Sequence, residues 1–136
     1  MGGELFFSVA FSPDEKTIAA SLHSQEQIVS IWDAKTFKKL HDCTGLDRTS
    51  IPEHPVLYSP DGKLVISVAL PFLEKEPDPA KIFIWEVATG KLLYQFRSQG
   101  IGTQIALSRD GRWLVHNGGG TPRFWDFEKI RREIGK

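Results

Sequence analysis

Short apolar stretches alternate with turn-forming sequences along the chain. The clearest unit runs from Val56 to Phe96, where the turn sequences SPDGK and ATGK and a longer break separate four apolar stretches. Pro60 presets φ for a turn, Asp61 can bond the local backbone, and Gly62 accepts unusual dihedral angles. The pattern predicts an antiparallel meander of four β-strands at Val56–Tyr58, Leu64–Val68, Ile82–Val87 and Leu92–Phe96.

The third of these predicted strands is apolar on both faces. Successive side chains of a strand point to opposite sides, so Ile82 and Ile84 share one face, and Phe83 and Trp85 share the other. A strand with two apolar faces belongs to a sheet that is covered on both sides. A sheet packed between two neighbours of its own kind meets that demand.

The same two patterns recur in the same order three times. The turn sequences are FSPDEKTIAA, YSPDGKLVIS and LSRDGRWLVH, and the later strand sequences are IVSIWD, KIFIWE and PRFWD. Ser12, Ser59 and Ser108 are 47 and 49 residues apart, a period typical of propeller-type repeats. We therefore predict three units, at residues 1–44, 45–98 and 99–136.

The first and third units repeat the strand pattern with departures. The predicted strands are Val9–Phe11, Thr17–Ser21, Ile28–Trp32 and Lys38–Asp42 in the first unit, and Gln104–Leu107, Trp113–His116 and Arg123–Trp125 in the third. Glu15 and Phe37 stand where the second unit has Gly62 and Gly90, which predicts less favourable turns. The fourth strand of the third unit is missing or reduced to the tail EKIRREIGK, which is equally compatible with a short helix.

Composition excludes few classes of protein. The 136 residues contain 17 Lys and Arg and 17 Asp and Glu, so no overall charge favours nucleic acid or a membrane surface. The single cysteine, Cys43, excludes an internal disulfide and suits a reducing compartment. No apolar stretch is long enough to span a bilayer, and MGGELFF lacks the features of a secretion signal. We expect a cytoplasmic protein that binds neither nucleic acid nor membrane.

With its repeated SPD or SRDG turns and IWD, IWE and FWD strand ends, the chain resembles WD40 repeat proteins from Val9 to Lys129. The resemblance implies an all-β fold of WD40-like propeller blades: two complete four-stranded antiparallel blades and most of a third, in an incomplete ring. It also implies structural roles for the tryptophans between blades, the acidic residues after them and the turn aspartates: Trp32, Trp85, Trp125, Asp33, Glu86, Asp126, Asp14, Asp61 and Asp110.

The sequence departs from the family in two respects. The usual Gly-His pair is absent, since Gly45 precedes Leu46 and Gly100 precedes Ile101, so the family's hydrogen-bonded set of Trp, His and Asp is not carried over. Propellers also need about four to eight blades to close a ring. The end blades should therefore expose apolar faces. Two explanations remain open: a segment of a longer propeller, or two copies that form a six-bladed ring.

Candidate chemistry is sparse, and we predict no catalytic, cofactor or metal site. His41 and Cys43 share a strand face that excludes Asp42, and the spacing of the histidines is not that of a zinc site. The glycines 118–120 precede a strand rather than a phosphate-binding helix. The tail contains four basic residues, Lys129, Arg131, Arg132 and Lys136, but Glu128 and Glu133 lie among them. We therefore predict a solvated terminal segment rather than a phosphate-binding site.

The resemblance implies protein binding through loops, and the long loop Ala69–Ala80, ALPFLEKEPDPA, is the candidate. Phe72 and Leu73 would anchor a partner, and Glu74, Glu76 and Asp78 would select its charge. Alternatively, Phe72 and Leu73 pack against their own blade. We predict a non-catalytic interaction scaffold whose partners are other proteins or further blades. The alternative is a propeller enzyme of hydrolase or dehydrogenase type, which the apolar first strands SVAFS, VLYS and QIALS disfavour.

Overall fold

The computed structural model describes residues 6–22, 29–45, 50–51, 55–71, 80–98, 104–117 and 120–135. The strands in these residues are β1 (Phe6–Phe11), β2 (Thr17–Leu22), β3 (Val29–Asp33), β4 (Lys39–Cys43), β5 (Ser50–Ile51), β6 (Val56–Tyr58), β7 (Leu64–Pro71), β8 (Lys81–Glu86), β9 (Leu92–Arg97), β10 (Ile105–Leu107), β11 (Trp113–Asn117) and β12 (Pro122–Asp126). One helix, α1 (Phe127–Ile134), follows the last strand.

The strands form three antiparallel sheets in which sequence neighbours are spatial neighbours. The first sheet has the order β1-β2-β3-β4, the second β6-β7-β8-β9 and the third β10-β11-β12. The short strand β5 pairs with the far end of β7. The predicted fold class, all-β with partial propeller blades, is confirmed. In the third blade α1 follows directly on the third strand, so the tail forms a helix there.

The serine and aspartate of the repeated turn make the same hydrogen bonds in all three sheets. The serine hydroxyl donates to the aspartate Oδ1 at 2.6 Å, and the same oxygen accepts from the backbone N–H two residues later at 3.0 Å. The serine oxygen also accepts from the first N–H of the next strand, at 2.9–3.0 Å. Asp14, Asp61 and Asp110 therefore close the turn between the first two strands of each blade.

The acidic residue that follows each tryptophan bonds the turn after the third strand. The Asp33 Oδ1 accepts from the backbone N–H groups of Lys35 and Thr36 at 2.8 and 2.7 Å, and Glu86 accepts from the Thr89 hydroxyl. Asp126 instead caps α1, where its side chain accepts from the Lys129 N–H at 3.1 Å. The third copy therefore begins a helix where the other two begin a turn to a fourth strand.

Two apolar clusters hold the three sheets together. The first lies between the first two sheets and contains Ala19, Val29, Ile31, Cys43, Val56, Val65, Ala69, Phe83 and Trp85. The second lies between the last two sheets and includes Ile66, Ile82, Ile84, Leu114 and Phe127. Burial of both faces of β8 follows from its uninterrupted apolar sequence, as predicted.

Helix α1 packs against the second blade as well as its own. Phe127 is fully buried in the second cluster, and Ile130 and Ile134 pack against that cluster. The Arg131 guanidinium donates to the Asp61 carboxylate, in the SPDG turn of the second blade. The helix therefore occupies the side of the third sheet that faces the second.

Two turns adopt the unfavourable backbone that the sequence predicts. Glu15 and Phe37 both have φ of 59°, and the equivalent glycines, Gly62 and Gly90, have φ of 72° and 74°. Non-glycine residues pay a steric penalty of about 1–2 kcal/mol in this region. The first blade therefore contains two sterically strained turn residues, whereas the second blade has glycine at both positions.

Replacing Glu15 by Gly should raise the free energy of unfolding by about 0.5–1 kcal/mol, because relief of the steric penalty exceeds the entropy cost of glycine. The measurement is the midpoint of chemical denaturation at an unchanged m-value. Gly62→Ala is the matched control. Its added Cβ would meet Pro13 only at an ordinary 3.6 Å, so it should lose about 1 kcal/mol from backbone strain alone. A loss of stability in Glu15→Gly would contradict this account.

Candidate interaction surface

The first sheet presents an apolar face away from the second sheet. The strand register aligns Val9 with Ala20, Phe11 with Ile18, and Ile18 with Trp32. Side chains that are aligned across antiparallel strands share one face of the sheet. This surface, which we call the Trp32 face, consists of Val9, Phe11, Ile18, Ala20, Trp32 and the turn residue Phe37.

The Trp32 face is partly open to solvent, since Phe11 is 63% exposed whereas Ala20 is buried. Val9 and Phe37 are 67% and 70% exposed, and a groove of about 330 Å³ is lined by Val9, Ile18, Ala20, Trp32 and Phe37. Its tryptophan is polar only at Nε1, which donates to the Ser30 hydroxyl at 2.6 Å. An exposed apolar patch of this kind is a candidate interaction surface.

The third sheet presents a second apolar face, on the side opposite to α1 and the second sheet. Ala106, Val115 and Phe124 are aligned across β10, β11 and β12, and Trp113 lies two residues before Val115 on the same face. Phe124 is 64% exposed and Trp113 is 40% exposed. We call these four residues the Phe124 face. Both end blades thus expose apolar side chains, as predicted from a number of blades too small to close a ring.

The loop predicted from the sequence lies outside the described residues. Its anchors Phe72 and Leu73 and its acidic residues Glu74, Glu76 and Asp78 fall between β7, which ends at Pro71, and β8, which begins at Lys81. The predicted partner-binding role of these five residues stays a prediction.

The three repeat tryptophans do not share one hydrogen-bonding arrangement. The Trp32 Nε1 donates to Ser30, and the Trp85 Nε1 donates to the Thr44 carbonyl oxygen at 3.0 Å. The buried Trp125 Nε1 has no hydrogen-bond partner within the described residues. The hydrogen bonds of the three tryptophans within the described residues therefore differ from one blade to the next.

One buried polar pair between the second and third blades was not predicted from the sequence. Ser98 and His116 are both buried, and the Ser98 hydroxyl lies 2.5 Å from the His116 Nδ1. Ser98 follows β9, and His116 belongs to β11. No local motif links two residues 18 positions apart, so the pairing becomes visible only once the two sheets are packed.

The candidate nucleophile Cys43 is chemically inert in its surroundings. Burial, with a smaller contribution from the charge of Asp42, raises the pKa of the Cys43 thiol to about 12. A thiol rather than the reactive thiolate is therefore present at neutral pH. His41 and Cys43 align with Ile31 and Val29 on the same face. Within the described ranges, no three His, Cys, Asp or Glu side chains form a metal-binding group.

The turn aspartates make stability depend on acid pH. Partial burial raises the pKa of Asp61, but hydrogen bonds from Arg131, Ser59 and the Lys63 N–H outweigh it and hold that pKa well below its usual 3.8. The Ser108 hydroxyl and the Arg112 N–H lower the pKa of Asp110. A lowered folded-state pKa stabilises the protein above the unfolded pKa, and the stabilisation is lost as the pH falls through the folded one.

We expect the free energy of unfolding to decline as the pH falls below about 4, the range in which the unfolded aspartates take up protons first. Asp61→Asn should flatten this decline more than Asp110→Asn does. Both aspartates make the same turn hydrogen bonds, whereas Asp61 also pairs with Arg131. Urea denaturation from pH 2 to 6 measures the slopes, and equal slopes for the two variants would contradict the role of the ion pair.

Comparison with known families gives one match. Residues 4–33 match the WD40 family, described as WD domain, G-beta repeat. The matched segment runs from before β1 to the end of β3 and includes the SPD turn and the Trp32–Asp33 pair. The resemblance read from the sequence is confirmed, with one WD40 repeat on the first sheet. A search of curated proteins finds no significant relative, and no helix within the described ranges has the length and apolar character needed to cross a membrane.

Proposed function

We propose that this chain, which carries a WD40 repeat on its first blade, is a non-catalytic scaffold for protein–protein interaction within a larger propeller. The observation that carries the proposal is the pair of exposed apolar sheet faces at the two ends of the blade stack. Monomeric soluble proteins rarely expose such surfaces unless they bind something. The free Cys43 is compatible with a cytoplasmic location, which is part of the proposal.

The mechanism is the display of loops on rigid sheets. The hydrogen-bonded serine–aspartate turns and the two apolar clusters fix the ends of each strand, so the connecting loops leave the blades at defined positions. Binding then loses less entropy than it would with mobile attachment points. Within this proposal, Phe72 and Leu73 contact the partner, and Glu74, Glu76 and Asp78 favour a basic partner surface.

The double substitution Phe72→Ala and Leu73→Ala tests the loop. Proximity labelling in the producing cells compares the partners of the variant with those of the wild type, and thermal unfolding compares stability. Loss of specific partners at an unchanged Tm supports the binding role. A lower Tm with the same partners shows that the two side chains pack on their own blade. A matched triple substitution of Glu74, Glu76 and Asp78 by Ala separates charge preference from apolar anchoring.

A catalytic role has no specific observation in its favour. A site in the channel of a propeller would draw on the first strands of the blades, which are β1, β6 and β10. The side chains at the equivalent position, two residues before the turn serine, are small or apolar: Ala10, Leu57 and Ala106. A panel of hydrolase substrates together with metal analysis of the purified protein tests this. Turnover that survives repurification would replace the scaffold proposal.

A further inference from the structure

The third sheet ends in an edge strand at the position where the other two blades continue to a fourth strand. Among the described strands, β12 pairs with β11 alone, whereas β3 pairs with β4 and β8 pairs with β9. Helix α1 follows β12, but Phe127, Ile130 and Ile134 attach it to the cluster between the second and third blades. The helix therefore lies on a face of the third sheet and does not take the place of a fourth strand.

The hydrogen bonds at the end of β12 show which of its backbone groups point away from β11. The Phe127 N–H donates at 2.7 Å to the carbonyl oxygen of Arg112, the residue before β11. Successive residues of a strand direct their N–H and C=O groups to opposite sides. The groups of Trp125 therefore point to β11, and those of Phe124 point to the open edge.

The equivalent backbone groups of the first two blades are bonded to the start of a fourth strand. The Asp33 N–H donates to the Lys38 carbonyl oxygen, and the Glu86 N–H donates to the Lys91 carbonyl oxygen, both at 2.9 Å. Asp126 occupies this position in the third blade, so its N–H also points to the open edge. Unpaired N–H and C=O groups along an edge strand form a template on which another strand can pair.

Side chains beside the open edge are exposed where their equivalents in the second blade are buried. Trp125 is only half-buried, although Phe96 of the second blade packs edge-to-face against it at a centroid distance of 4.9 Å. The equivalent Trp85 is fully buried. Arg123 is exposed, whereas the equivalent Phe83 is buried. Because the second blade already covers this side of the third sheet, the remaining exposure lies toward the position of a fourth strand.

We propose that the open edge of β12 binds an extended segment of a partner protein, which adds to the third sheet as an antiparallel fourth strand. In recognition of this kind, main-chain hydrogen bonds give affinity and alternate side chains give specificity. Pro122, at the start of β12, has no N–H to donate, so the pairing ends there and the bound segment is short. This inference rests on the proposed scaffold function and names the partner as an extended segment rather than a folded surface.

The register of the existing fourth strands indicates the side chains that the segment carries. In the second blade, Tyr94 and Gln95 lie opposite the residues that correspond to Phe124 and Arg123. An aromatic side chain at the first position would cover Phe124, and an acidic one at the second would pair with the exposed Arg123. The partner segment therefore carries an aromatic residue followed by an acidic residue.

The first test uses synthetic peptides that copy residues 91–98, KLLYQFRS, because the register of this segment as a fourth strand is known. One peptide carries Gln95→Glu and another carries Gln95→Lys, and fluorescence anisotropy measures their binding to the full chain. The Glu peptide should bind about two- to fivefold more tightly than the unchanged one. Arg123→Glu in the protein should reverse the preference in favour of the Lys peptide. Absence of binding, or a preference that Arg123→Glu leaves unchanged, would overturn the proposal.

The second test separates backbone pairing from side-chain contact at Phe124. Phe124→Ala and Phe124→Pro both remove the aromatic ring, but only proline removes the N–H that points to the open edge. Proline is tolerated at an edge where the N–H faces solvent, and circular dichroism checks that both variants are folded. Phe124→Pro should bind the Glu peptide about tenfold more weakly than Phe124→Ala does. Equal affinities would show that the peptide contacts side chains alone and does not add as a strand.

Amide hydrogen exchange, followed by NMR, locates the bound peptide. The Glu peptide should slow the exchange of the Phe124 and Asp126 amides about tenfold or more, while the Trp125 amide, which points to β11, changes little. Faster exchange in β9 without protection of Phe124 would mean that the peptide displaces β9, against the proposal. Protection of the Phe124 amide before peptide is added would mean that another part of the same polypeptide occupies the edge, which would also overturn it.

Failure of strand addition is distinguishable from failure of the scaffold function. A chain that does not bind the peptides but still loses partners upon substitution of Phe72 and Leu73 would remove strand addition and leave the scaffold. Peptide binding at the β12 edge together with enzymatic turnover would retain strand addition and remove the non-catalytic scaffold.

Discussion

Replacing Trp85 by Ala is expected to lower the free energy of unfolding by about 3–5 kcal/mol, the range for loss of a buried aromatic side chain. Trp85 is fully buried between the first two blades and stacks on Phe83 with a centroid distance of 5.6 Å. Its Nε1 donates to the Thr44 carbonyl oxygen of the first blade. Truncation leaves a cavity at the centre of the contact that joins the two sheets, and chemical denaturation measures the loss.

Two controls distinguish the loss of packing between blades at Trp85 from an effect that every repeat tryptophan would have. Trp85→Phe keeps most of the apolar volume but removes the donor to Thr44, and should cost about 1–2 kcal/mol. Trp32→Ala changes the equivalent tryptophan of the first blade, which is only partly buried, and it should cost less than Trp85→Ala does. Equal losses at Trp32 and Trp85 would show that the tryptophans act within their own blades rather than between blades.

Strand positions were predictable because local patterns encode them. Most predicted strands differ from the observed ones by one or two residues at their ends, for instance Ile28–Trp32 against the observed Val29–Asp33. The larger differences, of three residues each, are that β1 begins at Phe6 instead of Val9 and that β7 extends to Pro71 instead of ending at Val68. Its extension pairs with β5, a two-residue strand that no periodicity could indicate. Pairing between distant segments, rather than local preference, determines where that strand ends.

The local sequence did not determine whether the tail forms a strand or a helix. Phe127, Ile130 and Ile134 have helical spacing, but a helix of eight residues is marginal by itself in water. Packing of these three side chains against the second blade decides the outcome. The sequence contained the N-cap, Asp126, although the same residue reads as the acidic member of a strand-end motif.

Candidate sites were predictable only in part. Trp85 and Trp125 lie between blades, and the blade count predicted apolar end faces. The Trp85–Thr44 hydrogen bond, the Ser98–His116 pair and the Arg131–Asp61 contact were not predictable. They join residues separated by 18 to 70 positions, and their existence depends on how the sheets pack.

Replacing Phe127 by Ala is expected to cost about 3–5 kcal/mol and to detach α1 from the blades. Phe127 is the first residue of the helix and is fully buried in the cluster between the second and third blades. The third blade lacks a fourth strand in the described residues, and this helix follows its third strand instead. Loss of the anchor should also remove the Arg131–Asp61 contact, since the helix carries Arg131.

Phe124→Ala is the matched control, because Phe124 lies three residues earlier on the opposite face and is largely exposed. Phe124→Ala should change the free energy of unfolding by no more than about 0.5 kcal/mol. Urea denaturation compares the two variants, and far-UV circular dichroism follows the helix. If Phe127→Ala leaves stability and helix content unchanged, the helix is an appendage, and the third blade must be stable as three strands without it. If instead both substitutions are costly, Phe124 packs within its own chain, and the exposed face of the third blade contributes to stability.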